Sequence, residues 1–220
     1  MTRTYPVVVG SVRRGDCPAP TGVVPSGHVS DQVALESTRR RLTPKQADTI
    51  ARLGSAALAV LGREGYGGLT IRLVAAEAGV GAATAYTYFS SKEHLVAEVF
   101  WRRLAAAPPP VLDADPVGQV VAVMRQIALL VADEPAFAAA VTKALLARDP
   151  DVEHLRRRIG REIRARLRAA LGGDGHQDVV AALDLLTAGA LMHAGVRQGS
   201  YAEIADRMER STRLLLADGA

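Results

Sequence analysis

Gly79 constrains this chain more than any other residue. After Thr70, a good N-cap, the apolar-periodic run "IRLVAAEA" is stopped by Gly79 within two turns, and a second helical pattern starts within about three residues, near Gly81 to Ala83, running to Tyr88. Glycine is the usual residue where a helix must end in a left-handed turn. Two short helices joined in this way make the helix-turn-helix pattern. The 3.6-residue period supports it: Ile71, Val74, Ala75 and Ala78 fall on one face of the first helix, and Val80, Ala85 and Phe89 on one side of the second.

The flanking sequence is helical as well. "TPKQ" supplies a capping Thr43, a first-turn Pro44 and Gln46 for a capping box, and Ile50, Leu53, Ala57, Leu58 and Leu61 follow at helical spacing, so a helix is expected over about 44–63, ended by Gly65. "SSKEHLVAEVFWRRLAAA" begins another helix at Ser90 or Ser91, with a stripe of Leu95, Val96, Val99 and Phe100, and the prolines 108–110 end it. Five more helices are expected, over about 116–132, 135–147, 150–171, 177–198 and 201–216, separated by "DEP", "RDP", "GGDG" and "QGS". Hydrophobic residues make up 49% of the chain, much of it Ala, Leu and Val, and no strand candidate exceeds a few residues. The fold class is therefore all-α, about nine helices in two units. Residues 1–42, rich in Pro and Gly, read as an extension; 43–107 carry the helix-turn-helix motif at about 70–89; 111–220 form the second helical unit.

Charge and aromatic residues both concentrate in the first half. Residues 1–107 hold 13 Lys/Arg against 8 Asp/Glu, a balance of +5, whereas residues 108–220 hold 14 against 15, a balance of −1. An anionic partner for the first half follows. Six of the nine aromatic residues, Tyr66, Tyr86, Tyr88, Phe89, Phe100 and Trp101, lie between 66 and 101. A small helix after a turn can enter the major groove of double-stranded DNA, where Gly81, Ala82 and Ala83 allow close backbone approach and Thr84 and Thr87 present hydroxyls and methyls. Tyr86 and Tyr88 each combine a packing ring with a reaching hydroxyl. The same residues also fit a plainer account, in which Tyr88 is core beside Phe89 and the threonines face solvent. Arg39, Arg40 and Arg41 read either as a solvated charge run or as a phosphate-binding arm.

The segment "AALAVLGREGYGGLTIRLVAAEAGVGAATAYTYFSSKEHLVAEVF" strongly resembles the DNA-binding domain of the TetR family of transcriptional regulators. The matching features are Gly65-Tyr66, Leu69-Thr70, Ala78-Gly79-Val80, Thr84 followed by Tyr86, Tyr88-Phe89 and Ser91-Lys92-Glu93, in register over about 60 residues. The resemblance implies that Thr70 and Arg72 touch the DNA backbone or a groove edge, that Thr84, Tyr86, Thr87 and Tyr88 lie on the recognition side, and that Lys92 sits near a phosphate. Three positions depart from the family pattern: Gly81 stands for the usual capping Ser, Ala82 for a common Lys and Ala85 for a frequent Leu. The arm at Arg39 to Arg41 is expected to compensate for the lost phosphate contacts.

The resemblance further implies that the second unit binds an effector and dimerises, the last two helices pairing across a two-fold axis. Val179, Leu183, Leu186 and Ala190 with Val180, Thr187 and Leu191 put apolar positions on more than one face of the first of these helices, and Ile204, Met208, Leu214 and Leu215 form the companion surface. Met124, Phe137, Thr142, Met192 and His193 are the candidate ligand-contact residues; ordinary core or interface is the plainer account of the same residues and the one their helical spacing favours. Seven arginines between 156 and 168 read as a solvated face with an Arg158–Glu162–Arg166 ladder. The single Cys17 points to a reducing compartment, and "YPVVVG" followed by "RRGD" is too short for a signal peptide. A cytoplasmic protein with no membrane partner is expected, because Val179 to Val196 carries Asp184 and His193. No catalytic constellation, cofactor motif or metal-ligand spacing is present in the sequence. The resulting expectation is a homodimeric repressor that binds a palindromic operator and is released by a small, mostly apolar effector. A non-specific architectural DNA binder is the alternative.

Overall fold

The computed structural model describes residues 43–110, 115–173, 175–195 and 199–217; the extension 1–42, with Cys17 and Arg39 to Arg41, lies outside them. Among the described residues there are nine helices and no strand: α1 Pro44–Gly68, α2 Ile71–Glu77, α3 Ala82–Tyr88, α4 Lys92–Ala106, α5 Pro116–Leu129, α6 Pro135–Leu145, α7 Pro150–Ala170, α8 Gln177–Gly195 and α9 Tyr201–Ala217. Proline opens α1, α5, α6 and α7, where its missing N–H has no intrahelical partner to lose. Thr43 and Gln46 form the expected capping box: the Thr43 hydroxyl accepts from the Gln46 amide at 3.3 Å while Gln46 Oε1 accepts from the Thr43 amide at 2.9 Å. α1 nominally extends to Gly68, but Gly65, at φ 65°, breaks it where the sequence places its end.

α4 is the central element. Leu95, Val96, Ala97, Phe100 and Leu104 are fully buried on it, and it packs against α6, α7 and α1. Each of these side chains but Ala97 contributes about 1.5–3 kcal/mol of apolar burial. α9 lies along α5, fastened by Arg125 Nη1, which reaches Asp206 at 2.6 Å and Glu209 at 3.2 Å, and by the buried Thr212 hydroxyl, which donates to Met124 Sδ at 3.1 Å.

Arg156, Arg157 and Arg161 of α7 are exposed, as a solvated face implies, but four of its seven arginines also engage other elements. Arg158 stacks its guanidinium 4.6 Å from the Trp101 ring, Arg164 pairs with Asp184 of α8 at 2.9 Å, and Arg156 donates to the Leu145 and Ala147 carbonyls at 2.8 and 3.0 Å. Arg166 donates to the Leu104 and Ala107 carbonyls at 2.7 and 3.0 Å, to Gln126 Oε1 at 3.3 Å and to Glu162 at 2.7 Å. Spacing along one helix shows only which residues share a face. It is blind to the carbonyls at the ends of neighbouring helices, and those supply half of the partners here.

α8 is an apolar helix whose outer face is left uncovered within the chain. By length and composition it could cross a membrane, with mean hydropathy 1.3 despite Asp178 and Asp184, and only 22% of that window is buried within the chain. Leu185, Met192 and, on α9, Leu214 are exposed at 75%, 45% and 74%. Ile204 and Met208, expected on the outer surface, are instead buried against α5 and α8.

Arg166 generates a direct test. Arg166→Met should destabilise the fold by about 2 kcal/mol, since it strands the Ala107 carbonyl, leaves the Leu104 carbonyl with only the Ala107 amide and removes the partner of Glu162, and lower the melting temperature by roughly 4–8 °C. Arg157→Ala, which removes an exposed Glu153 pair at 3.6 Å, should stay within about 0.5 kcal/mol of wild type in the same thermal unfolding experiment.

Candidate nucleic-acid interface

The geometry of the α2–α3 turn follows from its glycine. Gly79 has φ 61°, its amide donates to the Ala76 carbonyl at 3.1 Å and the Val80 amide to the Ala75 carbonyl at 2.9 Å, the two bonds of a Schellman ending. Arg52 of α1 completes it: Nη2 donates to the Ala78 carbonyl at 2.5 Å and approaches the Gly79 carbonyl at 3.4 Å. A cation at a helix C-terminus opposes the negative end of its dipole. Sequence reasoning missed Arg52, because the carbonyl it caps lies 26 residues away along the chain. At the other end of α2, the Thr70 hydroxyl oxygen accepts from the Leu73 amide at 3.2 Å, which leaves its proton to donate outward.

α3 divides cleanly between two environments. Ala85, Tyr88 and the following Phe89 are buried, whereas Gly81, Ala82, Ala83, Thr84, Tyr86 and Thr87 are exposed, Tyr86 at 44%. Thr70 and Arg72 on α2 share this exposure. Gly81 provides no side-chain cap, as its substitution for serine implies, so the first amides of α3 stay open. The Thr87 hydroxyl donates to the Ala83 carbonyl at 3.0 Å, which leaves its methyl and lone pairs outward. Tyr88 is a correction: at 5% exposure its ring belongs to the core, because it falls three residues after Ala85 on the inward face.

Lys92 stands at the first position of α4, as expected, and is also tied to the body of the domain. Its ammonium donates to the Tyr66 carbonyl at 3.0 Å and lies 4.4 Å from the Tyr66 ring centre, with Lys143 of α6 at 5.5 Å from the same ring. The Tyr66 hydroxyl donates to Glu93 at 2.8 Å, and burial first, then that hydrogen bond and the Glu93 charge, push the phenol's pKa well up. Lys92 therefore secures the start of α4 to the end of α1. Arg41 lies outside the described residues.

A polar junction joins the turn after α3 to the start of α7. Ser91 Oγ donates to Asp149 Oδ2 at 2.6 Å, Ser90 Oγ to Asp151 Oδ2 at 2.7 Å, and the Ser90 amide donates to Nδ1 of the buried His94 at 3.2 Å. Asp149 also caps α7 by accepting from the Asp151 and Val152 amides. Burial alone would raise the Asp149 pKa; hydrogen bonds from Ser91, Asp151 and Val152, with the nearby His94, outweigh it and hold the carboxyl below its ordinary value.

A cavity of about 250 Å³ lies among α4, α6, α7, α8 and α9. Of the residues expected to contact a ligand, Thr142 and Met192 line it, together with Arg156, Asp184 and Tyr201, which sequence reasoning did not select. Asp184, the lone charge in the middle of an apolar helix, was the signal available. Met124 and Phe137 are instead fully packed core: Met124 accepts from Thr212, and the Arg103 guanidinium sits 4.8 Å from the Phe137 ring. His193 is exposed and lines a separate depression between α8 and α9.

Residues 53–99, which span α2, α3 and most of α1 and α4, match the family described as bacterial regulatory proteins, tetR family. An uncharacterized HTH-type transcriptional regulator of Mycobacterium tuberculosis is 45% identical over 178 residues, 79% of this chain and 83% of that protein. The HTH-type transcriptional repressor KstR of Rhodococcus jostii is 26% identical over 184 residues, 80% and 86% of the two chains. The crystal structure of a TetR transcriptional regulator from Rhodococcus sp. RHA1 shares the fold at a TM-score of 0.63 and 22% identity, covering 76% of this chain and 97% of that one. With a relative of 45% identity spanning most of both chains, and the tetR signature lying across the helix-turn-helix, the chain belongs to the TetR family of bacterial transcriptional regulators, a family of regulators and not of enzymes.

Proposed function

We propose that this regulator is a homodimeric repressor in which residues 43–107 bind DNA and residues 111–220 sense an effector and pair the two copies. The observation that carries the reading is the split of α3: Ala85, Tyr88 and Phe89 lock it to the body, while Gly81 to Thr84, Tyr86 and Thr87 form an exposed face of small and hydroxyl-bearing residues. That face has the size and chemistry to enter a major groove, with Thr70 and Arg72 donating to the adjacent backbone. Two such helices read a palindromic operator in half-sites one helical turn apart. The relative from Rhodococcus jostii is named a repressor, which favours repression as the output.

Pairing is supported by the uncovered apolar side chains Leu185, Met192 and Leu214 on α8 and α9, which a second copy would remove from water. The effector reading rests on the 250 Å³ cavity and its apolar walls, among them Phe100, Val141, Ile159, Ile163 and Leu191. A mostly apolar small molecule fits such a lining. An effector releases DNA only by favouring a dimer geometry in which the recognition helices no longer match the half-site spacing. α7 contributes both to the cavity, through Arg156 and Ile159, and to the polar junction, through Asp149 and Asp151, so a shift of its first turns reaches α3 through Ser90 and Ser91.

Selection of bound duplexes from a random pool, using the full chain, should return a palindrome; a sequence-blind product would favour the architectural alternative. On the selected operator, Tyr86→Ala should weaken binding by about tenfold or more, measured by fluorescence anisotropy, without lowering the melting temperature. Leu185→Glu should convert a micromolar dimer into a folded monomer in sedimentation experiments and abolish operator binding. Removal of residues 1–42 should weaken binding and reduce the slope of log affinity against log salt by between about 1 and about 3, as expected if Arg39 to Arg41 each engage a phosphate.

A further inference from the structure

The walls of the cavity carry an unequal set of charges. Asp184 is matched by Arg164 at 2.9 Å, so that pair is neutral as a unit. Arg156 is different: its Nε and Nη2 donate to the Leu145 and Ala147 carbonyls, and among the described residues no carboxylate stands within salt-bridge distance of it. A guanidinium has five N–H donors, and these two bonds hold its plane in place while leaving others to a ligand. Arg156 and Leu146 line the apolar cavity and also an adjoining polar groove formed by Ala147 to Pro150 and Glu153, so this cation stands where the cavity meets the surface.

The two charged features sit at opposite ends of one wall. Arg156 and Arg164 are eight residues apart on α7, about 12 Å at 1.5 Å per residue. Between them the wall is Ile159, Gly160 and Ile163. Gly160 is an interior helical glycine, a position that costs about 1 kcal/mol relative to alanine. A Cβ there would come within 3.0 Å of Arg164 Nη1, so the missing side chain both leaves the waist of the cavity open and lets Arg164 fold across toward Asp184. The lining is thus apolar in the middle, neutral and polar at one end, and cationic at the other.

We infer that the cavity takes a lipophilic monoanion, an apolar body of about 12 Å whose acidic group is held by Arg156, and that Arg156 and Gly160 set this specificity. The inference rests on reading the cavity as the effector pocket. A cationic amphiphile would meet Arg156 unpaired, and a neutral one would leave the guanidinium without an acidic partner. An anion at the other end would face Asp184, so one orientation is favoured.

The test uses the full chain and three probes that share a ten-carbon chain: decanoate, decanol and decyltrimethylammonium, each titrated calorimetrically below its aggregation threshold. Decanoate should bind about tenfold or more tightly than decanol, as a charge-assisted hydrogen bond provides, and the ammonium compound weakest. Arg156→Gln should remove the advantage of decanoate while leaving decanol unchanged, which also controls for folding. Arg156→Lys should keep most of that advantage, and Gly160→Val should abolish binding of both probes. Equal binding of acid and alcohol, an advantage that survives Arg156→Gln, full binding by Gly160→Val, or no binding of any probe would each overturn the inference. If Arg156→Gln fails to fold, the wild-type series decides alone, and decyltrimethylammonium matching decanoate is the overturning result. Decanoate that binds through Arg156 yet leaves the operator complex intact would uphold the ligand class and overturn the effector reading instead.

Discussion

A seven-residue helix is not stable by itself in water, because nucleation costs more than so few hydrogen bonds return. α2 and α3 are both of this length, and α3 lacks a side-chain cap. The DNA-reading face of this protein therefore exists only because Ala85, Tyr88 and Phe89 are held in the core beside α4 and because Arg52 closes the end of α2. Phe89 meets the buried His94 ring edge-on at 5.4 Å, and the His94 amide donates to Ser91, so the last residue of the motif and the first turn of α4 form one packed unit. Local propensity contributes little here; tertiary burial makes the recognition helix.

That dependence explains where the polar groups of the body are used. Asp149 caps α7 and simultaneously accepts from Ser91, and Asp151 accepts from Ser90. The carboxylates lie against the turn that follows α3, so its orientation relative to α7 is fixed by charge-assisted hydrogen bonds more directional than apolar packing. Lys92 and Glu93 do the same on the other side through Tyr66. The start of α4 is thus tied to α1 through Tyr66 and to α7 through the two aspartates.

Most of the fold was legible in the sequence, since its breaks are chemical. Pro44, Pro116, Pro135 and Pro150 start helices, Gly65 and Gly79 end them, and the apolar period between them assigns the inward faces. The site was legible only where a residue's role depends on its own helix. Thr84, Tyr86 and Thr87 could be placed outward and Ala85 inward by counting along α3, and the same count turns Tyr88 inward. Arg52, Lys92, Arg156 and Arg166 could not be assigned that way, because each reaches a carbonyl on another element. Long flexible cations are the side chains whose partners sequence spacing constrains least. Met124 and Phe137 fail for the complementary reason: an apolar residue at helical spacing looks the same whether it faces a cavity or a packed core.

The arginines of α7 show how one charged helix can serve two ends of the molecule. Arg166 grips the carbonyls of Leu104 and Ala107 at the end of α4, and Arg156 grips those of Leu145 and Ala147 at the end of α6. Both use a guanidinium to satisfy helix termini that would otherwise need water. The difference lies in what surrounds them. Arg166 has Glu162 at 2.7 Å and is largely enclosed, so its charge is balanced within the fold, whereas Arg156 stands exposed at the rim of an apolar cavity with carbonyls as its partners. Carbonyl dipoles orient a cation without neutralising it. The same chemistry therefore produces a structural rivet at one end of α7 and a residual positive charge at the other.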